Sequence, residues 1–148
     1  MRCYFDKMVL VLLHAVVVLG LIAQSPAWAA TTFFNSAPIH IPGIDDIGIG
    51  APYPSLITVS GLLGSISSVT VTVYGLSHPS IADIGILLVG PGLQSVSLMD
   101  FVGSGEVSAA EYVFDDAAAD YLPFVDVPPS GTYKPTAYDA DGLIVPQS

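Results

Sequence analysis

Hydrophobic and polar residues alternate most regularly from Ser68 to Tyr74, where three valines occupy one side of an extended chain. The two threonines and the tyrosine occupy the other side, and this period of two predicts a strand with one buried face. A nearly continuous apolar run follows from Ile84 to Val89 and is closed by Gly90 and Pro91. It predicts a second strand, buried on both faces, after a turn-rich stretch at residues 75–83.

Shorter apolar patterns predict further strands at Leu56–Ser60, Val96–Asp100 and Tyr112–Asp115. Residues 130–138 are a candidate for another strand or an extended loop. Glycines favour a turn at residues 61–64 and a loop at residues 101–111. Residues 117–123 are compatible with one helical turn capped by Asp115 or Asp116. Because the chain after residue 29 contains no long stretch with a period of 3.6 residues, the predicted class is all-β, and strands of this length and spacing suit a β-sandwich.

The amino-terminal residues have the pattern of a secretory signal. Arg2 and Lys7 precede an apolar run, Met8–Ala23, and the small residues Ala27 and Ala29 flank Trp28 before the expected cleavage point. The run is shorter than the ~20 residues of a membrane-spanning helix, which argues against an anchor. We therefore expect residues 1–29 to be a signal peptide and the mature chain to be secreted, with no attachment to the membrane after cleavage.

Removal of residues 1–29 would change the composition. Cys3 and Trp28 would be lost, so the mature chain has no cysteine for a disulfide. Lys134 would be its only basic residue against twelve acidic ones, which gives a net charge of 1 − 12 = −11. Such a chain is repelled by phosphate backbones, and nucleic-acid binding is not expected. Residues 30–54 are rich in proline and glycine and are interpreted as an irregular leading segment before a single domain at residues 55–148.

Four stretches carry a family resemblance: LITVSGLLGSISSVTVTVYGLSH, ILLVGPGLQSVSLM, YVFDDAAADYLP and SGTYKPTAY, which follow one another from Leu56 to Tyr138. In this order they resemble the P domain, or Homo B domain, found beside subtilisin-like proprotein convertases and in bacterial secreted proteins. The resemblance implies a jelly-roll β-sandwich similar to galactose-binding-like domains. It also implies a non-catalytic accessory module that supports the folding, stability and calcium dependence of a subtilisin-like serine endopeptidase.

The resemblance stops at Tyr138. Members of the family continue into a closing segment of the kind N-G-T-W-x-L, and this chain has no tryptophan after Trp28. The expectation is therefore an incomplete P domain that lacks its last strands. Such a domain would expose strand edges and associate readily.

No catalytic arrangement is apparent in the sequence. After residue 29 the histidines are His40 and His78, and no G-x-S-x-G motif occurs. His78, in GLSHPS, matches a histidine common in this segment of the P domain, where it closes a loop between two strands. The chain is therefore not expected to be an enzyme.

Aspartates at predicted loops and strand ends are candidate calcium ligands, because Ca²⁺ prefers several oxygen ligands on flexible segments. We assign Asp83 and Asp100 first, partly from the family. The chain keeps only one carboxylate in Ala82-Asp83-Ile84-Gly85, where relatives show an acidic cluster. Asp45, Asp46, Asp115, Asp116, Asp139 and Asp141 occupy similar predicted positions. The alternative interpretation is that these acids only solvate the surface.

Another function remains open from the sequence, that of a free-standing module for an extracellular glycan or protein. Aromatic faces beside polar groups are the chemistry that would bind a sugar. The aromatic candidates are Tyr53, Tyr112, Tyr121, Tyr133 and Tyr138. Core packing or loop anchoring is the competing explanation for each of them.

Overall fold

Six strands and one short 3₁₀ helix make up the regular structure of the computed structural model, which describes residues 30–43 and 48–146. In chain order they are β1 (Val71–His78), the 3₁₀ turn (Ile81–Asp83), β2 (Ile86–Val89), β3 (Ser95–Asp100), β4 (Val107–Phe114), β5 (Gly131–Tyr133) and β6 (Thr136–Ala137). The predicted all-β class is confirmed for the described residues. The predicted signal peptide lies outside them, as do Asp45 and Asp46.

The strands form two three-stranded sheets with the orders β1-β4-β5 and β2-β3-β6. Each sheet contains one antiparallel and one parallel pair: β1 with β4 and β2 with β3 are antiparallel, whereas β4 with β5 and β3 with β6 are parallel. The chain passes from the first sheet to the second between β1 and β2, returns between β3 and β4, and passes over again between Tyr133 and Thr136. Pro135 lies in this passage, where the absence of an N–H group suits a break between two ladders.

Two irregularities interrupt the β1-β4 ladder and offset each other. Between the pairs Val73–Tyr112 and Leu76–Ala110, β1 contains one extra residue, and between Leu76–Ala110 and His78–Val107, β4 contains the extra residue. Gly75 and Ala109 have positive φ values of 66° and 49° at these points. The Ser77 hydroxyl accepts a hydrogen bond from the Ala109 N–H at 2.8 Å, so the second bulge leaves no donor unpaired there.

A single hydrophobic core takes side chains from both sheets. Its fully buried members include Tyr112 and Phe114 from β4 and Met99 from β3. Loop residues close the core, with Ile81, Val102 and Leu122 completely buried. Because neither sheet buries its apolar face alone, each depends on the other for stability.

The structure corrects several predicted elements. Leu56–Ser60 forms no strand, and its large apolar side chains are exposed. β2 is not buried on both faces, because Leu87 and Val89 are more than half exposed. β4 begins at Val107, inside the predicted loop at residues 101–111. Residues 117–123 contain no helical turn.

Other predicted positions are confirmed. The alternation at residues 68–74 corresponds to β1, although the strand begins at Val71 and continues to His78. The apolar pattern near Leu98 corresponds to β3. Gly90 and Pro91, which close the apolar run in the sequence, begin a turn that is closed by a 2.8 Å bond from the Gly90 N–H to the Gln94 carbonyl. The described residues from Phe33 onward belong to one compact unit.

Candidate functional site

His78 closes the end of β1 and is almost completely buried. Its Nε2 lies 2.7 Å from the carbonyl oxygen of Pro42, and its Nδ1 lies 2.6 Å from the carbonyl oxygen of Ser80. The Ser80 N–H can also donate to Nδ1, at 3.2 Å. The ring therefore joins the strand to its following turn and to a segment thirty-six residues away in sequence.

Both ring nitrogens of His78 face backbone groups, so its polar atoms are occupied within the fold. A neutral imidazole has one N–H and can donate to one of the two carbonyl oxygens, whereas an imidazolium donates to both. The side chain of His40, by contrast, is exposed, and the described contacts of this residue are two 2.9 Å backbone bonds with Ala51. Neither histidine ring is hydrogen-bonded to a serine hydroxyl or a carboxylate of the described residues.

The two aspartates assigned to calcium occupy different surroundings. Asp83 is exposed at the end of the 3₁₀ turn. Asp100 is half-buried at the end of β3, where its backbone carbonyl accepts a hydrogen bond from the Tyr138 N–H at 3.1 Å. In the part of the chain that the structure describes, no three His, Cys, Asp or Glu side chains converge on one point. Calcium binding by Asp83 and Asp100 therefore stays a prediction, without a multidentate cage to support it.

Two other candidate aspartates form turns. The Asp115 carboxylate accepts the Ala117 N–H at 2.9 Å, and the Asp139 carboxylate accepts the N–H groups of Asp141 and Leu143 at 3.0 and 2.9 Å. Both are Asx-type turns, in which the side chain replaces a backbone acceptor. The carboxylates of Asp115 and Asp139 therefore serve the local backbone as hydrogen-bond acceptors.

Three of the candidate tyrosines have bonded hydroxyl groups: Tyr112 is buried in the core, and Tyr133 and Tyr138 are partly buried against it. Tyr112, Tyr133 and Tyr138 donate to the carbonyl oxygens of Pro128, Pro129 and Leu122 at 2.8, 2.9 and 2.6 Å. Burial raises the pKa of all three phenols above the ordinary value. The neighbouring Tyr133 raises the pKa of Tyr112 further, and Asp120 adds to the increase in the pKa of Tyr133.

Tyr121 lies beside a shallow groove next to the basic residue Lys134. The Lys134 ammonium group lies 5.0 Å from the centre of the Tyr121 ring, which is a cation–π contact. The groove has a volume of about 270 Å³ and is also lined by Asp116 and Pro146. Asp116 is the acidic residue among the described residues that line this groove with Lys134.

Tyr53 lies at a second groove, of about 380 Å³, over the β2-β3 pair. Its lining residues are Tyr53, Gly85, Ile86, Leu87, Ser97 and Asp100. Tyr53 is 68% exposed, so most of its ring is available to a ligand. The sequence indicates Tyr53 as a candidate for sugar binding and Asp100 as a candidate calcium ligand. No pattern in the sequence indicates that the fold brings them to one groove.

An irregular, uncharged surface segment lies between the leading residues and β1. We call residues 56–69 the docking segment. They contain no charged side chain. The large apolar members Leu56, Ile57, Val59, Leu62, Leu63, Ile66 and Val69 are all exposed. Asn35 Nδ2 donates to the Leu56 carbonyl at 3.1 Å, and residues 57–69 make no hydrogen bond within the described structure.

The chain was compared with family models, with curated proteins and with solved structures, and none of them matches it. The described residues also contain no helix of the length and apolarity needed to cross a membrane.

Proposed function

We propose that this chain is a secreted, non-catalytic accessory module of the P-domain type, with a jelly-roll arrangement of its two sheets. Its partner is a subtilisin-like serine endopeptidase, which it binds through the docking segment. The P-domain resemblance supports the identity of the partner. The exposed, unpaired docking segment is the observation that supports binding to another protein.

Exposure of the docking segment is unusual for a monomeric surface. Isolated apolar residues are common on protein surfaces, but a contiguous apolar segment of this length marks an interaction site. Because its backbone groups from residue 57 to residue 69 have no partner in the described structure, they are free to form a ladder with another strand. Residues Leu56–Ser60, whose alternation predicts a strand, would then form that strand in the complex.

Charge supports the same assignment. The chain has a net charge of −10, yet the docking segment contributes none of it. A partner strand could approach there without desolvating a carboxylate, which would cost several kcal/mol for a buried, unpaired charge. The acidic remainder of the surface would keep the unbound module soluble.

Proline substitution tests the ladder directly. Thr58→Pro removes one backbone N–H that bonds to nothing in the free module, so its melting temperature should change little. Binding to the catalytic domain of a subtilisin-like endopeptidase from the same organism should weaken about tenfold or more, because a strand ladder needs that donor.

Thr58→Ala is the matched control, since it keeps the N–H, and it should bind like the parent chain. Biolayer interferometry measures the affinity, and differential scanning fluorimetry checks folding. Equal binding by the proline variant and the alanine variant would refute strand pairing at this segment. No binding of the parent chain to the endopeptidase would refute the accessory role.

A further inference from the structure

The groove beside Tyr53 has the composition of a ligand site and shares no residue with the docking segment. We propose that it binds a neutral oligosaccharide, with the apolar face of one sugar ring against Tyr53 and sugar hydroxyl groups donating to the carboxylate of Asp100. The site goes beyond the proposed accessory role. It would allow the module to hold its partner near an extracellular glycan.

The carboxylate of Asp100 has an unmet capacity to accept hydrogen bonds. It is half-buried, and its side-chain oxygens accept no hydrogen bond from any described residue. An ionised carboxylate can accept several hydrogen bonds, and sugar hydroxyl groups can supply the donors. Hydrogen bonds to a charged acceptor are also stronger than neutral ones.

Gly85 keeps this carboxylate open to the groove. A Cβ atom at Gly85 would lie 3.4 Å from Asp100 Oδ1, in van der Waals contact. Any side chain at this position would therefore cover part of the carboxylate. The φ of Gly85 is not positive, so backbone conformation does not explain the glycine.

An apolar flank completes the site. Tyr53 and Leu87 are 68% and 56% exposed, and both line the groove. A tyrosine ring offers a large, rigid surface with few rotatable bonds to immobilise, which suits it to stacking. An apolar surface facing a polar acceptor matches a sugar ring, which has C–H groups on its face and hydroxyl groups at its edge.

Charge selects the class of sugar. The net charge of −10 and the presence of Asp100 in the groove disfavour uronic acids, sulfated glycans and phosphates. Lys134 lines the other groove, and the described residues that line the Tyr53 groove include no basic side chain. A neutral oligosaccharide fits these constraints.

Titration of the purified chain with short neutral gluco-, manno- and galacto-oligosaccharides, followed by ¹⁵N NMR, tests the proposal. We expect at least one of them to bind with a dissociation constant on the order of millimolar, as for shallow, exposed sites. Shifted amides should centre on Tyr53, Gly85 and Asp100. An oligosaccharide of uronic acids, used at the same concentrations, should leave these amides unshifted.

Variants identify the contacts. Tyr53→Ala and Gly85→Val should each weaken binding about tenfold or more. Tyr53→Phe should retain it, because stacking does not need the hydroxyl group. Tyr74→Ala removes an equally exposed tyrosine from β1 and is the matched control, with unchanged binding expected. Melting temperatures of all variants show whether each remains folded.

Calcium chloride alone, in a parallel titration, separates this site from the calcium prediction. Binding of Ca²⁺ that is lost in Asp100→Asn, with no response to any neutral sugar, would overturn the proposal in favour of a cation site. Failure of every neutral oligosaccharide, binding unaffected by Tyr53→Ala, or equal binding of the uronic-acid probe would also overturn it.

Discussion

His78 and His40 are two histidines with opposite surroundings in one chain. His78 is buried between two backbone carbonyl groups, whereas the side chain of His40 is exposed. The bond from His78 to Pro42 attaches the leading segment to the end of β1. Its loss should therefore affect both stability and the position of that segment.

We predict that His78→Phe lowers the free energy of unfolding by about 1–3 kcal/mol, because at least one partly buried carbonyl group loses its donor. Urea denaturation followed by circular dichroism measures the change. His40→Phe is the control and should remain within about 0.5 kcal/mol of the parent chain. Equal stability of the two variants would show that His78 does not anchor the segment.

At the scale of the element, Thr136 connects β6 to the loop before β5. The Thr136 hydroxyl donates to the Lys134 carbonyl at 2.6 Å and accepts the Leu122 N–H at 3.1 Å. Thr136 and Leu122 are both completely buried. Because β6 has only two residues, this side chain supplies much of the attachment of the strand.

Thr136→Val keeps the shape of the side chain and removes both bonds. We expect the free energy of unfolding to fall by about 1–3 kcal/mol, since the Leu122 N–H would remain buried without an acceptor. Hydrogen exchange at Leu122 should also become faster. Thr132→Val, on the exposed face of β5, is the matched control and should change the stability by less than about 0.5 kcal/mol. A Thr136 variant as stable as that control would contradict this account of β6.

Alternation of apolar and polar residues predicts a strand correctly where the fold also supplies a neighbouring strand to pair with. β3 was found from Val96, Leu98 and Met99, and the core of β1 from its valines. Leu56–Ser60 has an equally good pattern and forms no strand, because alternation describes a strand but does not supply its partner. The start of β4 was missed because the bulge at Ala109 breaks the period of two.

The candidate sites were less predictable for a similar reason. Asp100 was identified from its place at the end of a strand, but its exposure to a groove depends on Gly85 and on Tyr53, which is distant in sequence. Asp115 and Asp139 had the same sequence signal and proved to form Asx turns. Residue type and position cannot separate an aspartate that binds its own backbone from one that faces a ligand.

At the scale of the whole molecule, one buried and two partly buried tyrosines make the packing of both sheets depend on whether their phenol groups are ionised. Tyr112 lies in β4 and Tyr133 in β5, whereas Tyr138 directly follows β6 of the other sheet. The rings of Tyr112 and Tyr133 are 6.2 Å apart in an edge-on arrangement. Each of the three hydroxyl groups donates to a backbone carbonyl and cannot do so once ionised.

Alkaline pH should therefore destabilise the fold. Burial raises the pKa of Tyr112, Tyr133 and Tyr138 in the folded chain, first by desolvation. A raised folded pKa gives a contribution to stability that is complete below the unfolded value of about 10 and is lost as the pH rises through the folded values. We expect the melting temperature to stay level up to about pH 9 and to fall steeply above about pH 10.

Tyr112→Phe should make this decline shallower, because one of the three phenols is gone, even though the loss of its bond to Pro128 lowers the stability at neutral pH by about 1 kcal/mol. Phe114→Leu, in the same strand, is the control: it should lower the melting temperature at every pH without changing the slope. Absorbance at the phenolate wavelength, recorded during the same titration, reports the ionisation. A melting temperature that is independent of pH through this range, or an identical slope for Tyr112→Phe and the parent chain, would show that burial of these phenols does not limit the stability of the molecule.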